Sequence, residues 1–255
     1  MNIWLSLLLS FLLALPAGIK KSFTLCGLSL AFTISTIFCY CGGISAYLSL
    51  VALFLITIIT DQVKKKEKEK IEKDKHKKGS HRDFFQVFNN LFLATICILI
   101  YKVSDKEIFY ILFLASLAVS AADTSASGIG ILSKKSYRLI PWRKDERGLS
   151  GIVSNLGFLA SLIAALLIGI TYFLHGQDIL VLLKITCYGF IGAFLDSLLG
   201  CFQVKYKCSK CKHLTEKKIH CGKPTKYACG IKFLNNDLVN SLSNLLALII
   251  AYIIG

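Results

Sequence analysis

Three aspartates stand in apolar stretches of the chain, where an ionised carboxylate is costly. Asp123 lies in AADTSASG, Asp196 in GAFLDSLLG and Asp237 in NNDLVNSLSN. A charged side chain at the centre of a membrane helix costs about 2.5–3.5 kcal/mol on insertion scales, so such groups usually face the protein interior and have a function. Carboxylates and amides suit Mg²⁺, which binds one or two carboxylates together with phosphate oxygens of a substrate. We therefore predict a magnesium site in which Asp123, Asp196 and Asp237 are catalytic.

Polar and basic residues near these acids have the chemistry to bind phosphate. Lys and Arg beside a metal site stabilise phosphate charge, and Asn side chains four residues apart share one helix face. The predicted phosphate-binding residues are Arg82, Ser127, Lys134, Arg138, Asn155, Asn236 and Asn240. Two simpler explanations stay open. The basic residues can reflect the usual charge bias of membrane proteins, and each acid can end its helix near water, which fits Asp237 best.

The elements that position these residues are apolar helices. Of the 255 residues 55% are hydrophobic, and the mean hydropathy is +0.62. Apolar segments of about 17–25 residues recur, each long enough to span a bilayer as a helix. We predict an all-α membrane bundle of about eight helices, within a range of six to nine, forming a single membrane domain over residues 1–255. The predicted helices are 3–19, 22–39, 43–60, 86–101, 107–125, 150–174, 179–202 and 235–254.

The distribution of charge predicts the topology. With eight helices, the long polar connections 61–85, 126–149 and 203–234 lie on one side, and with Lys20 and Lys21 they hold 27 of the 30 Lys and Arg residues. The positive-inside rule places that side in the cytosol and both termini opposite. The three acids then lie at similar depth, near the cytosolic ends of their helices. The net charge of +15 therefore indicates membrane topology and not nucleic-acid binding.

Other features of the ends and loops are less specific. No basic residue precedes the first apolar stretch, which favours a retained membrane helix, although its length leaves a cleaved signal open. The charged run in 61–85 predicts a cytosolic linker, either a solvated helix or a disordered segment, which anionic headgroups can also attract. We assign no chemistry to it. The organelle is open, with the endoplasmic reticulum as the first candidate.

The loop 203–234 contains a cysteine motif, CSKCKHLTEKKIHC over 208–221. A CxxC pair followed by His-Cys has the spacing of zinc ligands. We predict Cys208, Cys211 and Cys221 as ligands, with His220 or Cys229 as the fourth and His213 less favoured; redox or unliganded cysteines are the alternative. A zinc ion with four protein ligands stabilises a loop and does not catalyse.

Five stretches of the chain resemble one known family. They are GSHRDFFQVFNN (79–90), ADTSASGIGILSK (122–134), FLDSLLG (194–200), HCGKPT (220–225) and LNNDLVNSLSN (234–244). The family is that of the integral membrane protein called transmembrane protein nineteen, which includes the plant phytyl-phosphate kinase of tocopherol synthesis, and the resemblance covers roughly residues 20–255. It implies a kinase that transfers a phosphoryl group from a nucleoside triphosphate, such as CTP, to an isoprenoid monophosphate, such as phytyl or geranylgeranyl phosphate. Phosphoryl transfer is catalysed mainly by positioning and charge stabilisation, for which Mg²⁺ with Lys and Arg suffices.

Two positions depart from the family pattern. Where the family reads DTWASE, this chain has Ser125 for the aromatic residue and Gly128 for the acid, and Leu149, Ser150 and Gly151 replace a Thr-Asn-Gly-Gly turn. These departures imply an altered site, a different substrate or no activity. Two alternative functions therefore stay open: a transporter or ion carrier that uses the intramembrane acids, and a non-catalytic membrane scaffold.

Overall fold

The computed structural model describes residues 1–20, 22–68, 82–145 and 147–255. Within these ranges the chain is mainly helical, as predicted. The helices are α1 (Ile3–Ile19), α2 (Leu25–Gln62), α3 (Phe84–Ser104), α4 (Glu107–Gly130), α5 (Asn155–Ile170), α6 (Ile179–Gly200) and α7 (Asn236–Ile254), and a 3₁₀ turn, Thr171–Leu174, extends α5. Six of the helices in the described ranges are long and apolar enough to cross a membrane, and α1 is shorter, with 17 residues.

The 38-residue helix α2 is a helical hairpin. At Gly43 the backbone has φ 73° and ψ −158°, a conformation that glycine adopts without the steric penalty of a side chain. The ring of Phe23, before the helix, stacks on that of Phe54 with centroids 6.4 Å apart. A straight helix would separate them by roughly 45 Å at 1.5 Å per residue. The segments 25–42 and 44–62 are therefore antiparallel, which confirms the two predicted helices here. With the other six helices, they make eight apolar helical segments in the part of the chain that the structure describes.

Because the eight segments alternate in direction, the connections α2–α3, α4–α5 and α6–α7 share one end of the bundle, which we call the loop end. Both termini lie at the opposite end, where the amino group of Met1 donates to the carbonyl of Tyr40, 3.1 Å away. The relative placement of loops and termini agrees with the predicted topology. The assignment of the loop end to the cytosol stays a prediction from charge.

The centre of the bundle is α4, which packs against α2, α3, α5, α6 and α7. Its side chains Tyr110, Phe113, Leu114 and Leu117 are fully buried. Small residues let α6 approach α4 closely: a Cβ atom at Gly192 would lie only 2.3 Å from Cγ2 of Val119. Close approach through small residues is typical of helix packing in membranes. It fixes the position of α6, which bears Asp196, relative to α4, which bears Asp123.

Two of the loops fold into small antiparallel sheets. The loop after α4 contains β1 (Tyr137–Arg138), β2 (Arg143–Lys144) and β3 (Ile152–Val153), with β1 in the middle. The loop after α6 contains β4 (Lys205–Lys207), β5 (Leu214–Thr215), β6 (Ile219–His220), β7 (Lys223–Pro224) and β8 (Lys226–Cys229). In that loop β4 lies between β5 and β8, while β6 and β7 form a separate hairpin.

The largest differences from the predicted boundaries, five residues each, concern two helices. The helix predicted at 107–125 continues to Gly130. The helix predicted at 150–174 begins only at Asn155, because residues 152–153 pair as β3 and Ser154 caps the helix by accepting from the amide of Gly157. The hydroxyl of Ser154 also donates to the carbonyl of Gly130, 3.1 Å away, which ties the start of α5 to the end of α4. Most of the predicted charged linker, residues 69–81, lies outside the described residues.

Candidate functional site

A large cavity of about 1390 Å³ opens at the loop end of the bundle. Its walls come from the ends of α2, α4 and α6, the starts of α5 and α7, and the two folded loops. Asp123, Asp196 and Asp237 all line it. The structure thus brings the three predicted acids to one cavity.

Asp123 and Asp196 form a pair within this cavity, with their carboxyl groups close enough to share a hydrogen bond. Two carboxylates in contact repel when both are ionised, so they either share a proton or bind a cation. Oδ2 of Asp196 accepts from the hydroxyl of Ser243 at 3.2 Å. The side-chain amide of Asn240 is assigned the orientation in which its nitrogen faces acceptors. In that orientation it donates to the same oxygen of Asp196 at 3.1 Å. Helix α7 therefore orients the acid of α6.

Asp237 stands apart from this pair. It is the second residue of α7, and Ser243, six residues further along, lies about 9 Å deeper at a rise of 1.5 Å per residue. Asn236 lines the cavity beside it, and its carbonyl accepts from the amide of Asn240 at 2.9 Å. The three acids are thus arranged as a contacting pair with a third acid nearer the loop end.

The predicted phosphate-binding residues divide into two groups. Arg82, Ser127 and Asn236 line the cavity. Lys134, Arg138 and Asn155 do not line it. Lys134 and Asn155 are exposed, and the guanidinium of Arg138 pairs with Asp145 at 2.7 Å. The amide of Asn240 is directed to Asp196. Proximity to the acids in the sequence therefore did not predict which of these side chains line the cavity.

Arg82 has a distinctive position because it lines both the main cavity and a smaller one. Its guanidinium lies 3.3 Å from the carboxylate of Asp61. Burial lowers the pKa of the guanidinium, and the charge of Asp61 opposes that effect. Arg82 was predicted from the sequence, whereas its ion pair with Asp61 was not.

The smaller cavity is a crevice of about 90 Å³ that continues the main cavity into the bundle. Its wall is largely apolar, with Leu13 from α1, Leu28 and Leu53 from the two halves of α2, and Leu91 from α3. Thr124, directly after Asp123, lines both cavities, as Arg82 does. A polar cavity and an apolar crevice thus meet beside the acid pair.

Several cations of the cavity were missed by the sequence analysis. They are Lys20, Lys65, Lys68, Arg147, Lys217, Lys218 and Lys232. Lys68 is 4% exposed and donates to the carbonyl of Thr60. A Cβ atom at Gly128 would lie 2.4 Å from Cγ2 of Thr60 and 3.8 Å from Nζ of Lys68. The resemblance would imply an acidic side chain at position 128, and the space that it would need is therefore occupied here by Thr60, with Lys68 beside it.

Glu216, which no sequence pattern indicated, joins the two folded loops at the cavity wall. Its Oε1 accepts from the amide of Ser150 at 2.9 Å. Lys205, only 2% exposed, donates to the carbonyl of Gly200 at 2.9 Å, at the end of α6. Burial lowers the pKa of Lys205, and the charge of Glu216 opposes this shift. These contacts connect the cysteine-containing loop to α6 and to the loop before α5.

The cysteine motif forms a cluster in this loop. The ligand atoms of Cys208, Cys211, His220 and Cys221 all lie within 4.8 Å of one another. Of the two candidates for the fourth ligand, His220 joins the group, while Cys229 is exposed at the end of β8. Hydrogen bonding from the backbone of Cys211 lowers the pKa of the Cys208 thiol to about 6. This favours the thiolate, the form that binds metals.

The family model for the integral membrane protein DUF92 matches residues 8–248. The chain belongs to this family. Protein PGR of Arabidopsis thaliana is 26% identical over 269 residues, which cover 94% of this chain and 92% of the plant protein. An uncharacterized membrane protein of Methanocaldococcus jannaschii is 37% identical over 89 residues, or 34% of this chain and 37% of the archaeal protein. No solved structure matches.

Membership of DUF92 confirms the predicted multi-pass integral membrane protein. Neither the family description nor these two relatives' names state a reaction. For this DUF92 protein the chemistry must therefore be argued from the cavity. The acid pair can bind a divalent cation, the surrounding cations can bind phosphate, and the crevice can bind an apolar chain.

Proposed function

We propose that this DUF92 protein is a prenyl-phosphate kinase. It transfers a phosphoryl group from a nucleoside triphosphate, such as CTP, to an isoprenoid monophosphate, such as phytyl or geranylgeranyl phosphate, to give the diphosphate. The observation that carries the proposal is the meeting of the polar cavity and the apolar crevice beside Asp123 and Asp196. A phosphate headgroup in the polar cavity, with the first part of its apolar tail in the crevice, suits such a junction.

Arg82 and Thr124 are the candidates for holding the acceptor phosphate. Both line the polar cavity and the crevice, so a lipid whose tail enters the crevice would bring its phosphate to them. Thr124 directly follows Asp123 in α4, so an acceptor phosphate bound at Thr124 would lie beside the acid pair. The guanidinium of Arg82 can donate two parallel hydrogen bonds to a phosphate.

The cations nearer the loop end are the candidates for the nucleotide triphosphate. Lys65 and Lys68 follow α2, Arg147 lies in the loop after α4, and Lys217 and Lys218 lie in the loop after α6; all five line the cavity. The cavity of about 1390 Å³ is larger than the about 300–1,000 Å³ of a typical small-molecule site. It therefore has room for a nucleotide together with a lipid headgroup.

In the reaction, an oxygen of the acceptor phosphate attacks the γ-phosphorus of the nucleotide. A new P–O bond forms, the bond from that phosphorus to the β–γ bridging oxygen breaks, and the nucleoside diphosphate leaves with the electron pair. Asp123 and Asp196, with Asp237 nearer the loop end, would hold Mg²⁺, which would neutralise charge on the transferred group. Ser243 and Asn240 keep one oxygen of Asp196 in place, and the basic side chains orient the two phosphate groups.

The direct test is an assay of purified protein with geranylgeranyl phosphate, Mg²⁺ and each nucleoside triphosphate in turn. We expect geranylgeranyl diphosphate with at least one nucleotide, and loss of at least 100-fold in Asp123→Asn and Asp196→Asn. The matched control is Asp178→Asn at the opposite end of α6, where Asn caps a helix as well as Asp does. It keeps full activity.

Other outcomes would favour the alternatives. No diphosphate with any nucleotide, while an active family member works in the same assay, contradicts the proposal. Ion flux through the protein in sealed vesicles, lost in Asp196→Asn, would indicate a carrier. Absence of both activities, with no thermal stabilisation by nucleotide or lipid phosphate, would indicate a scaffold. Full activity in both Asn variants would refute the role of the acid pair.

A further inference from the structure

The cluster Cys208, Cys211, His220 and Cys221 has the donor set and spacing of a structural zinc site. Nδ1 of His220 lies 3.5 Å from Sγ of Cys211 and 3.2 Å from Sγ of Cys221. With Zn–S bonds of about 2.3 Å and a Zn–N bond of about 2.0–2.1 Å, tetrahedral ligand atoms lie about 3.5–3.8 Å apart. The imidazole nitrogen therefore sits among the thiols almost where a shared metal would require it, and three thiolates with one imidazole are a common zinc set.

The ligands come from two hairpins, both fully described by the structure, that bury no aliphatic or aromatic side chain between them. Cys208 and Cys211 lie in the β4–β5 connection, and His220 and Cys221 in the β6–β7 hairpin. Over residues 206–229, all of which the structure describes, the buried side chains are those of Cys208, Thr215, Glu216 and His220. No aliphatic or aromatic side chain is buried in that segment; Ile219 is 67% exposed. Small units without an apolar core usually depend on a metal or disulfides.

The segment between the two ligand pairs forms part of the cavity wall. Residues 216–218 connect β5 to β6, and all three line the cavity. Thr225 holds this segment from one side through its hydroxyl, which donates to the carbonyl of Lys217 at 2.8 Å. From the other side, the amide of Ser150 donates to Glu216 at 2.9 Å. The position of the segment therefore depends on how the flanking hairpins are fixed.

We propose that a zinc ion bound by Cys208, Cys211, His220 and Cys221 fixes both hairpins and so positions the 216–218 segment against Ser150 as one wall of the cavity. The zinc is structural, since four protein ligands leave no open coordination position. Its role is independent of the reaction that the cavity performs. The metal and the cavity wall can therefore be tested without any measurement of kinase activity.

The first experiment measures metal content. The full chain, expressed with zinc in the medium and purified in detergent without chelator, is expected to hold one zinc per chain by elemental mass spectrometry. Cys211→Ser loses it, whereas Cys229→Ser, a matched variant of an exposed cysteine outside the cluster, keeps it. Wild-type protein without zinc, or equal zinc in Cys211→Ser and wild type, overturns the site.

The second experiment uses wild-type protein, so that it does not depend on the folding of a variant. Hydrogen exchange is compared before and after zinc removal with a chelator. We expect at least a tenfold faster exchange over 214–220 and also over 147–153, across the Ser150–Glu216 contact, with no change in α3. Readdition of zinc restores protection. Faster exchange confined to 206–229, with 147–153 unchanged, overturns the positioning role.

Discussion

The contact between Gly192 and Val119 offers a strong test of how the bundle positions the acid pair. A Cβ atom at Gly192 would lie 2.3 Å from Cγ2 and 2.7 Å from Cγ1 of Val119. Non-bonded carbons prefer about 3.5–4.0 Å, so Gly192→Ala moves α6 and α4 apart by roughly 1 Å. Asp196 and Asp123 lie four residues beyond Gly192 and Val119, so the same displacement separates the two carboxyl groups.

The energies of the single and double variants follow from these distances. Overpacking costs about 1–3 kcal/mol, and the better helix propensity of alanine offsets about 1 kcal/mol of it. Val119→Ala removes two buried methyl groups, at about 0.5–1.5 kcal/mol each. In the double variant the two clashing methyl groups are absent, and the tight contact that remains is with the Cβ atom of residue 119, 3.0 Å away. Its loss of unfolding free energy is therefore smaller than the sum of the single losses by about 1–3 kcal/mol.

The assay is unfolding of the four proteins in mixed micelles, titrated with denaturing detergent, alongside kinase activity. Displacement of reacting groups by 1 Å can cost about 100-fold in rate, so Gly192→Ala loses about that much activity and the double variant regains most of it. The control pairs Gly192→Ala with Val87→Ala, a buried valine on α3. Distant sites are additive within about 0.3–0.5 kcal/mol.

Two results would refute this reasoning. A coupling energy below about 0.5 kcal/mol between Gly192 and Val119 would mean that the two helices do not touch there. Recovery of stability in the double variant without recovery of activity would mean that the contact does not set the acid pair.

Two further substitutions test the groups around the acids. Ser243→Ala removes a hydroxyl that donates to Asp196, and loss of such an outer contact typically lowers activity or metal affinity 10–100-fold. The control is Ser29→Ala, whose hydroxyl donates to a carbonyl of its own exposed helical turn and which leaves the Mg²⁺ dependence of the rate unchanged. Equal effects of the two substitutions would contradict the role of Ser243. Arg82→Lys loses the paired hydrogen bonds of a guanidinium to phosphate. One charge-assisted hydrogen bond contributes about 1.5–3 kcal/mol, so the KM for the isoprenoid phosphate rises by about 10–150-fold, while that for the nucleotide is unchanged. Arg138→Lys, outside the cavity, changes neither KM, and a selective rise in the nucleotide KM of Arg82→Lys would reassign that side chain.

The helices and their order could be predicted from the sequence because apolar length and charge placement depend on the membrane alone. The reversal at Gly43 fell where the predicted second and third helices meet. Hydropathy does not predict the rotation of each helix about its own axis. Asp123 and Asp196 were predicted at similar depth, but their direct contact depends on how α4 and α6 pack at Gly192.

The loops were harder to predict than the helices, because closeness of two residues in the sequence does not determine where the side chain of a loop residue points. Arg138 follows Asp123 closely in sequence, yet its guanidinium pairs with Asp145 across the small sheet. Lys68 belongs to a charged run whose composition predicts a solvated segment. Its side chain is nevertheless buried and donates to the carbonyl of Thr60. Motif spacing alone left His220 and Cys229 open as zinc ligands, and the β6–β7 hairpin brings only His220 to the cluster.

Helix α1 has a different relation to the bundle from the other helices. It supplies Leu13 and Ala17 to the wall of the crevice, yet its main packing is against α2, through small buried residues such as Ser6 and Ser10. Helix association inside a bilayer depends on van der Waals contact and not on the hydrophobic effect, and α1 is held mainly by one neighbour, whereas α4 packs against five helices. The tail of the isoprenoid phosphate that we propose as substrate would then reach the crevice from the bilayer beside α1, while the proposed nucleotide would approach from water at the loop end.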